Sequence, residues 1–372
     1  MEQTFSREDT KLMKGVAILL MLMHHLWAFP ERIAGGELWH VLNICGESSL
    51  TYFGSFGKIC VSFFFFLGGY GVYLTTCSKK YDLIAKIKGL YLAYWKVFVL
   101  FIPLAFLLCA NQPTYCDEAE ICTRYAEFSK QECFNNFLGF STSYNSEWWF
   151  LHSYLCVLIL YPLIDRIVRH RSTLFNVTAI VLFAICITDV FPALGELEVL
   201  GTLKDNYLYR TFFLLSAPYG VCFWMGAVFA KDNLLIQIRD RLRSNHLLNP
   251  LLDIFFVGVI VQMRSRLTGQ IVDIVYIPFL IIFLMDFLRY LRPIRAIFIR
   301  IGKESTSMWL IHPFFCYYFY PVVQVVVAPR WGVLSLLVLL ILSYLAARLV
   351  RLIWWCIGTI IHRTQKLFLK VS

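Results

Sequence analysis

Charge is scarce in this chain. Asp, Glu, Lys and Arg make up only 16% of its 372 residues, against 59% hydrophobic and 17% aromatic, and the mean hydropathy is +0.65. Soluble domains carry about 25% charged residues, so the composition excludes an ordinary soluble enzyme and points to a polytopic membrane protein. The chain has no Gly-rich phosphate loop, no dinucleotide fingerprint and no His/Cys cluster at metal-ligand spacing, so neither nucleotide-fold chemistry nor a metal is expected. It also has no internal repeat, no low-complexity tract and no soluble appendage, which leaves one expected domain over residues 1–372. The ~10-residue alternation of membrane β-barrel strands is missing too.

What is present is a series of apolar runs long enough to cross ~30 Å of hydrocarbon as helices. They lie near residues 12–29, 55–77, 90–110, 148–165, 174–192, 211–230, 248–262, 271–288, 305–327 and 333–357. The expected fold is therefore all-α, a bundle of about ten transmembrane helices. The run at 248–262 is the weakest, being short and followed at once by "MRSRLTG". The first run is read as a retained span and not a cleaved leader, because it holds Lys14 and two histidines and shows no small-residue cleavage pattern before Pro30.

With the N-terminus inside, the inner segments and the Lys14 mouth hold 22 Lys and Arg, against about nine on the outer side. The positive-inside rule then gives an N-in, C-in topology, in the plasma membrane. The formal charge of +10 is explained by topology and lipid contact, without nucleic acid. Cys116, Cys122 and Cys133 fall in the acidic outer segment 111–147 and Cys45 in the first outer loop; a disulfide among them is open, with no pairing readable.

The stretch "KGVAILLMLMHHLW" places ionisable groups in the first span. Lys14 and His25 are eleven residues apart, within about 20° of one helix face and separated by about 16 Å. Ile18 and Met21 fill the stripe between them, and His24 points away. An intramembrane ionisable group marks a functional site by default, although a hydrogen-bonded packing histidine and a snorkelling lysine account for the pattern equally well. Chemically, a neutral imidazole accepts a hydroxyl proton, and a cation at the inner mouth holds phosphates. The interval between them suits the pantetheine arm of coenzyme A.

Several stretches in order resemble the acyltransferase-3 family of integral membrane acyltransferases. The first helix carries a basic residue, ten residues, then His, as Lys14 and His25. "GKICVSFFFFLGGYG", Gly57 to Gly71, is similar to the family's Gly, aromatic run and small-Gly pair. A basic segment leads into "LYLAYW", ending at Trp95. "EWWFLHSYLCVLILYPLI", Glu147 to Ile164, resembles the family's Trp-Phe-Leu helix, and "IGKESTSMWLIHPFF", Ile301 to Phe315, its late Gly-Lys-x-Ser helix. The resemblance covers most of the chain. It implies a ten-helix core that moves an acyl group, usually acetyl, from cytoplasmic acyl-CoA to a hydroxyl of a sugar or lipid-linked glycan, with His25 catalytic and Lys14 its basic partner. It also implies a stand-alone member, without the extracytoplasmic hydrolase-like domain. The Trp-Phe-Leu helix departs from the family's Ser-x-x-x-Glu pattern, carrying His152 and Tyr154 there, which leaves the acceptor class open.

Around this pair, His24, Trp148, His152, Tyr154 and His312 are candidate substrate contacts, with an interfacial aromatic belt or plain packing as the competing reading. Pro313 is expected to free the carbonyl of Trp309 and kink its helix. Lys14, Lys86, Lys88, Arg292, Arg295, Arg300 and Lys303 are candidate ligands for acyl-CoA phosphates, with anionic lipid as the competing contact. Asp286 and Arg289 read as a helix-face ion pair. Gly68, Gly69 and Gly71 admit a close substrate or a close helix. The expected partners are a carbohydrate or lipid-linked glycan acceptor and membrane lipids, with a homo-oligomer compatible. A transporter or flippase for a glycan precursor is the alternative, since midplane polar groups also serve transport.

Overall fold

Runs of apolar residues punctuated by capping side chains set the helix boundaries. Ser6 caps the first helix, its hydroxyl accepting from the Asp9 amide while the Asp9 carboxylate accepts from the Ser6 amide, the reciprocal arrangement that satisfies two orphan donors. Ser48, Ser129, Ser172 and Asn249 cap later helices one way, each side chain accepting from a first-turn amide. The structure is a computed structural model that describes residues 5–33, 38–39, 42–44, 46–116, 121–196, 206–267, 269 and 271–371; Cys45 lies outside the described residues.

Among the described residues the fold is all-α apart from two pairs of two-residue strands. The helices are α1 (Arg7–Trp27), α2 (Ser49–Gly57), α3 (Ile59–Ser78), α4 (Leu83–Cys109), α5 (Lys130–Leu138), α6 (Trp149–His170), α7 (Thr173–Ile185), α8 (Phe191–Gly195), α9 (Tyr207–Tyr209), α10 (Ala217–Lys231), α11 (Leu234–Ser244), α12 (Pro250–Arg266), α13 (Asp273–Tyr290), α14 (Arg292–Lys303), α15 (Ser305–Pro313), α16 (Tyr320–Val327) and α17 (Gly332–Val371). Wider π-type turns at Cys186–Val190, Arg210–Ser216 and Phe314–Tyr318 join neighbouring pieces.

Among the described residues, six helical stretches are long and apolar enough to cross a membrane, and a seventh is added if Ser305–Tyr318 and Tyr320–Val327, bent by 88°, form one broken span. The protein is thus a multi-pass membrane protein. Helices also stand at the other three expected positions, but each is short or polar. α12 has 17 residues, α13 carries Asp273, Asp286 and Arg289, and α1 carries Lys14 and two histidines.

The chain gathers into two compact units. The first comprises Met1–Ala28, Ile44–Ile87 and Glu147–Lys303. Its helices meet backbone to backbone at glycines, since only a missing side chain lets two main chains approach so closely. A Cβ added at Gly69 would lie 1.8 Å from the Phe223 carbonyl oxygen, and one at Gly226 would lie 2.0 Å from that of Phe66, so α3 and α10 cross there. Gly69 therefore serves a close helix. Gly15 and Gly302 do the same for α1 and α14, facing the carbonyls of Phe298 and Lys11 at 2.1 and 1.8 Å.

The second unit comprises Phe29–Asn43, Lys88–Ser146 and Glu304–Ser372. Here the "LYLAYW" side chains meet the end of α5. Tyr91, Tyr94 and Trp95 donate to the carbonyls of Leu138, Asn136 and Phe137 at 2.8, 2.6 and 2.8 Å, which occupies acceptors that a helix end leaves open. Thr114–Tyr115 pairs antiparallel with Ile121–Cys122, and the disulfide left open in the sequence joins Cys116 to Cys122, with Cys133 free. Buried Glu304 is paired with Arg351 at 2.5 Å.

Candidate active site

The first helix arranges its side chains as the eleven-residue spacing requires. Ile18 and Met21 are buried between the ends of the stripe, and His25 ends it on the last turn of α1. Both histidines sit where the sequence expects them, but their surroundings differ. His24 is buried and donates from Nδ1 to the carbonyl of Gly54 at 3.0 Å. The reason is local: Gly54 and Gly57 bring α2 onto the backbone of α1, with a Cβ at Gly54 only 2.5 Å from the Ala28 nitrogen and one at Gly57 2.4 Å from the Leu20 oxygen. His24 is thus bonded to a helix.

His25 instead faces a carboxylate. Its Nε2 lies 3.7 Å from Oε2 of Glu147, and the two side chains are 11% and 10% exposed. Glu147 occupies a single 3-10 turn, Ser146–Trp148, that leads into α6, and Trp148 beside it is 1% exposed. Glu147 is the functional candidate that sequence reasoning missed, placing it at the end of the acidic segment 111–147 and at the start of the Trp-Phe-Leu stretch without giving it a role. Its signal was its place, an acid directly before the apolar face of a membrane helix. A carboxylate at this distance can orient the imidazole.

The other expected substrate contacts are dispersed. Tyr154 lies with Phe65, Phe150 and Phe223 in an aromatic cluster, and its hydroxyl abuts Gly68. Trp149 and Tyr219 extend that cluster toward Glu147. His152 is on the same helix, with its Nε2 buried and lacking a hydrogen-bond partner among the described residues. His312 belongs to the second unit. It is fully buried and its Nδ1 donates to the Trp309 carbonyl at 2.8 Å, the acceptor that Pro313 cannot reach; the kink expected at Pro313 is replaced by a π-type turn, Phe314–Tyr318, and the 88° bend stands beyond it, at Phe319.

At the other end of the stripe, Lys14 is half-buried and within electrostatic reach of Lys86. α14 lies against this part of α1. Around Glu8, about 9 Å below Lys14 along the helix, a cavity of about 400 Å³ is lined by Glu8, Arg289, Arg292, Arg295, Ala296 and Ile299. Arg295 pairs with Glu8 at 2.8 Å and Asp9 at 3.2 Å, and Arg289 with Asp286 at 3.3 Å, where Arg243 is a second partner at 2.7 Å. Arg292 is exposed at the cavity. Lys88, Arg300 and Lys303 are exposed and line no part of it. A second cavity of about 510 Å³, walled by Leu160, Ile164, Phe183, Phe212 and Trp224 among others, has no charged side chain.

A family model described as an acyltransferase domain matches residues 9–348. No curated protein and no solved structure matches the chain.

Proposed function

The chain belongs to the acyltransferase-3 family and is an acyltransferase, and from that premise we propose that it moves an acyl group, acetyl first among them, from acyl-CoA to a hydroxyl of a cell-surface or lipid-linked carbohydrate. The observation that carries this reading is the His25–Glu147 contact at 3.7 Å, at one end of a stripe whose other end is Lys14. In the N-in, C-in topology that the basic segments favour, Lys14 and the arginine-lined cavity open to the cytoplasm and His25 stands in the outer half of the plasma membrane.

The residues divide the work accordingly. Arg292 and Arg289, with Lys14 and Lys86 further along, offer forks and point charges to the phosphates of acyl-CoA. The pantetheine arm follows α1 to bring the thioester to His25. The acceptor hydroxyl gives its proton to the imidazole as its oxygen attacks the thioester carbonyl, and Glu147 holds the resulting imidazolium. When the carbon–sulfur bond breaks, the imidazolium returns that proton to the departing thiolate, so the products are the ester and the CoA thiol. The route through an acyl-imidazole uses the same side chain as nucleophile.

The test uses membranes holding the protein and acetyl-CoA labelled in the acetyl group. Label should enter the carbohydrate fraction with wild type and fall by about 100-fold or more with His25→Ala at equal protein level, the range for removal of a general base. Label transfer by His25→Ala at the wild-type rate would overturn the assignment.

A further inference from the structure

Arg264 and Asp273 play no part in the reaction as drawn, yet they are sunk deep in the same unit, 5% and 0% exposed. Arg264 donates from Nε to Oδ1 of Asp273 at 2.7 Å and from Nη2 to Oδ2 at 3.2 Å, and the Ser62 hydroxyl donates to Oδ2 at 2.7 Å. The remaining nitrogen, Nη1, points at the carbonyls of Ser55 and Phe56, 3.4 and 3.5 Å away. These are last-turn acceptors of α2, where a cation is favoured by the helix dipole. The ion pair thus brackets the α2–α3 junction, with Arg264 on the end of one helix and Asp273 on the first turn of the next. A second tie runs from the Tyr52 hydroxyl of α2 to Oε1 of Gln262 at 2.6 Å.

What α2 holds is the end of α1. Its Gly54 carbonyl accepts from His24, and its Gly54 and Gly57 lie against the backbone at Trp27, Ala28, Leu20 and His24. Any shift of α2 therefore moves the turn that carries His25. Cys60, in the first turn of α3, is within electrostatic reach of Arg264, Asp273 and Glu147 together, so the ion pair and the carboxylate facing His25 share one neighbourhood. A buried ion pair contributes little to net stability, since desolvation offsets its attraction; its use here is geometric.

We infer that Arg264 and Asp273 are positioning residues that hold the His25–Glu147 pair in register through α2, an inference that rests on that pair being the reacting one. The readout needs no acceptor. Purified protein in detergent is treated with diethyl pyrocarbonate, and carbethoxylation of His25 is timed by mass spectrometry with fragment ions that separate it from His24. Glu147→Gln should change the His25 rate by about threefold or more, the coupling typical of side chains in contact. The variant Arg264→Met/Asp273→Leu removes both charges and so leaves no lone buried one; folded, it should show the Glu147→Gln rate. Arg264→Lys, which keeps the charge and loses the fork, should fall between, and it carries the same comparison if the double variant does not fold.

A wild-type His25 rate in the folded double variant or in Arg264→Lys, with Glu147→Gln still altered, overturns this inference and leaves the reacting pair standing. A wild-type rate in Glu147→Gln removes the pair itself, and the inference with it.

Discussion

The two ends of α1 use opposite means to hold charge in an apolar surrounding. At the Lys14 end the groups are numerous, basic and partly open. Arg289, Arg292 and Arg295 share a cavity with Glu8, and Arg295 is held by Glu8 and Asp9. At the His25 end there is one base and one acid, each about nine-tenths covered, with α2 pressed onto the backbone beside them. The difference matches the division of work proposed for the two ends. An open arginine cluster exchanges partners and tolerates displacement, which suits binding a polyphosphate head. A covered imidazole and carboxylate act in a low-dielectric setting where orientation decides their effect.

Substitutions can break or sharpen this contrast. The largest effect is expected at the crossing of α1 and α14. Gly302→Leu would put a side chain into the Lys11 carbonyl and should cost about 3 kcal/mol or more from overpacking, read as loss of the monodisperse peak in detergent size-exclusion. Next comes Glu147→Gln, which keeps size and removes the charge facing His25. Label transfer from acetyl-CoA should drop about 100-fold in kcat with KM for acetyl-CoA unchanged, as befits a group acting on the base. At the opposite end, Arg289→Ala with Arg292→Ala should do the reverse, raising KM for acetyl-CoA about tenfold at low salt, by a smaller factor at high salt, and sparing kcat; Asp286 keeps Arg243 as partner, so the fold should persist. The smallest effect is His24→Phe, which deprives the Gly54 carbonyl of its donor and should cost about 1 kcal/mol in thermal stability, visible as a lowered melting temperature.

The local parts of this arrangement were legible in the sequence. Helix periodicity alone puts Lys14 and His25 on one face, and the apolar runs mark where helices stand. The carbonyl that Pro313 frees is legible too, because a proline removes a known hydrogen bond, and the Trp309 oxygen is taken by His312; the sharp bend, however, stands six residues on, at Phe319. What escaped is non-local. Glu147 meets His25 across 122 residues of chain, and no spacing rule connects them. Arg264 and Asp273 sat unread in a short span end, "MRSRLTG", and at the start of the next helix, since a charge near a membrane boundary reads as exposed until its partner is seen. α14 lies between the expected spans 271–288 and 305–327; its helix forms with Ile301 and Gly302 buried and Gly302 against the Lys11 backbone of α1, while Arg292, Arg300 and Lys303 are exposed and Arg295 pairs with Glu8 and Asp9 of α1.

The central claim is that donor binding and acyl transfer are separate tasks at the two ends of one helix. Calorimetric titration of acetyl-CoA into purified wild type, Lys14→Ala and His25→Ala tests it most directly. The account predicts saturable binding to wild type, weakened in Lys14→Ala and unchanged in His25→Ala. Binding that is indifferent to Lys14, or no binding to folded wild type, would contradict it.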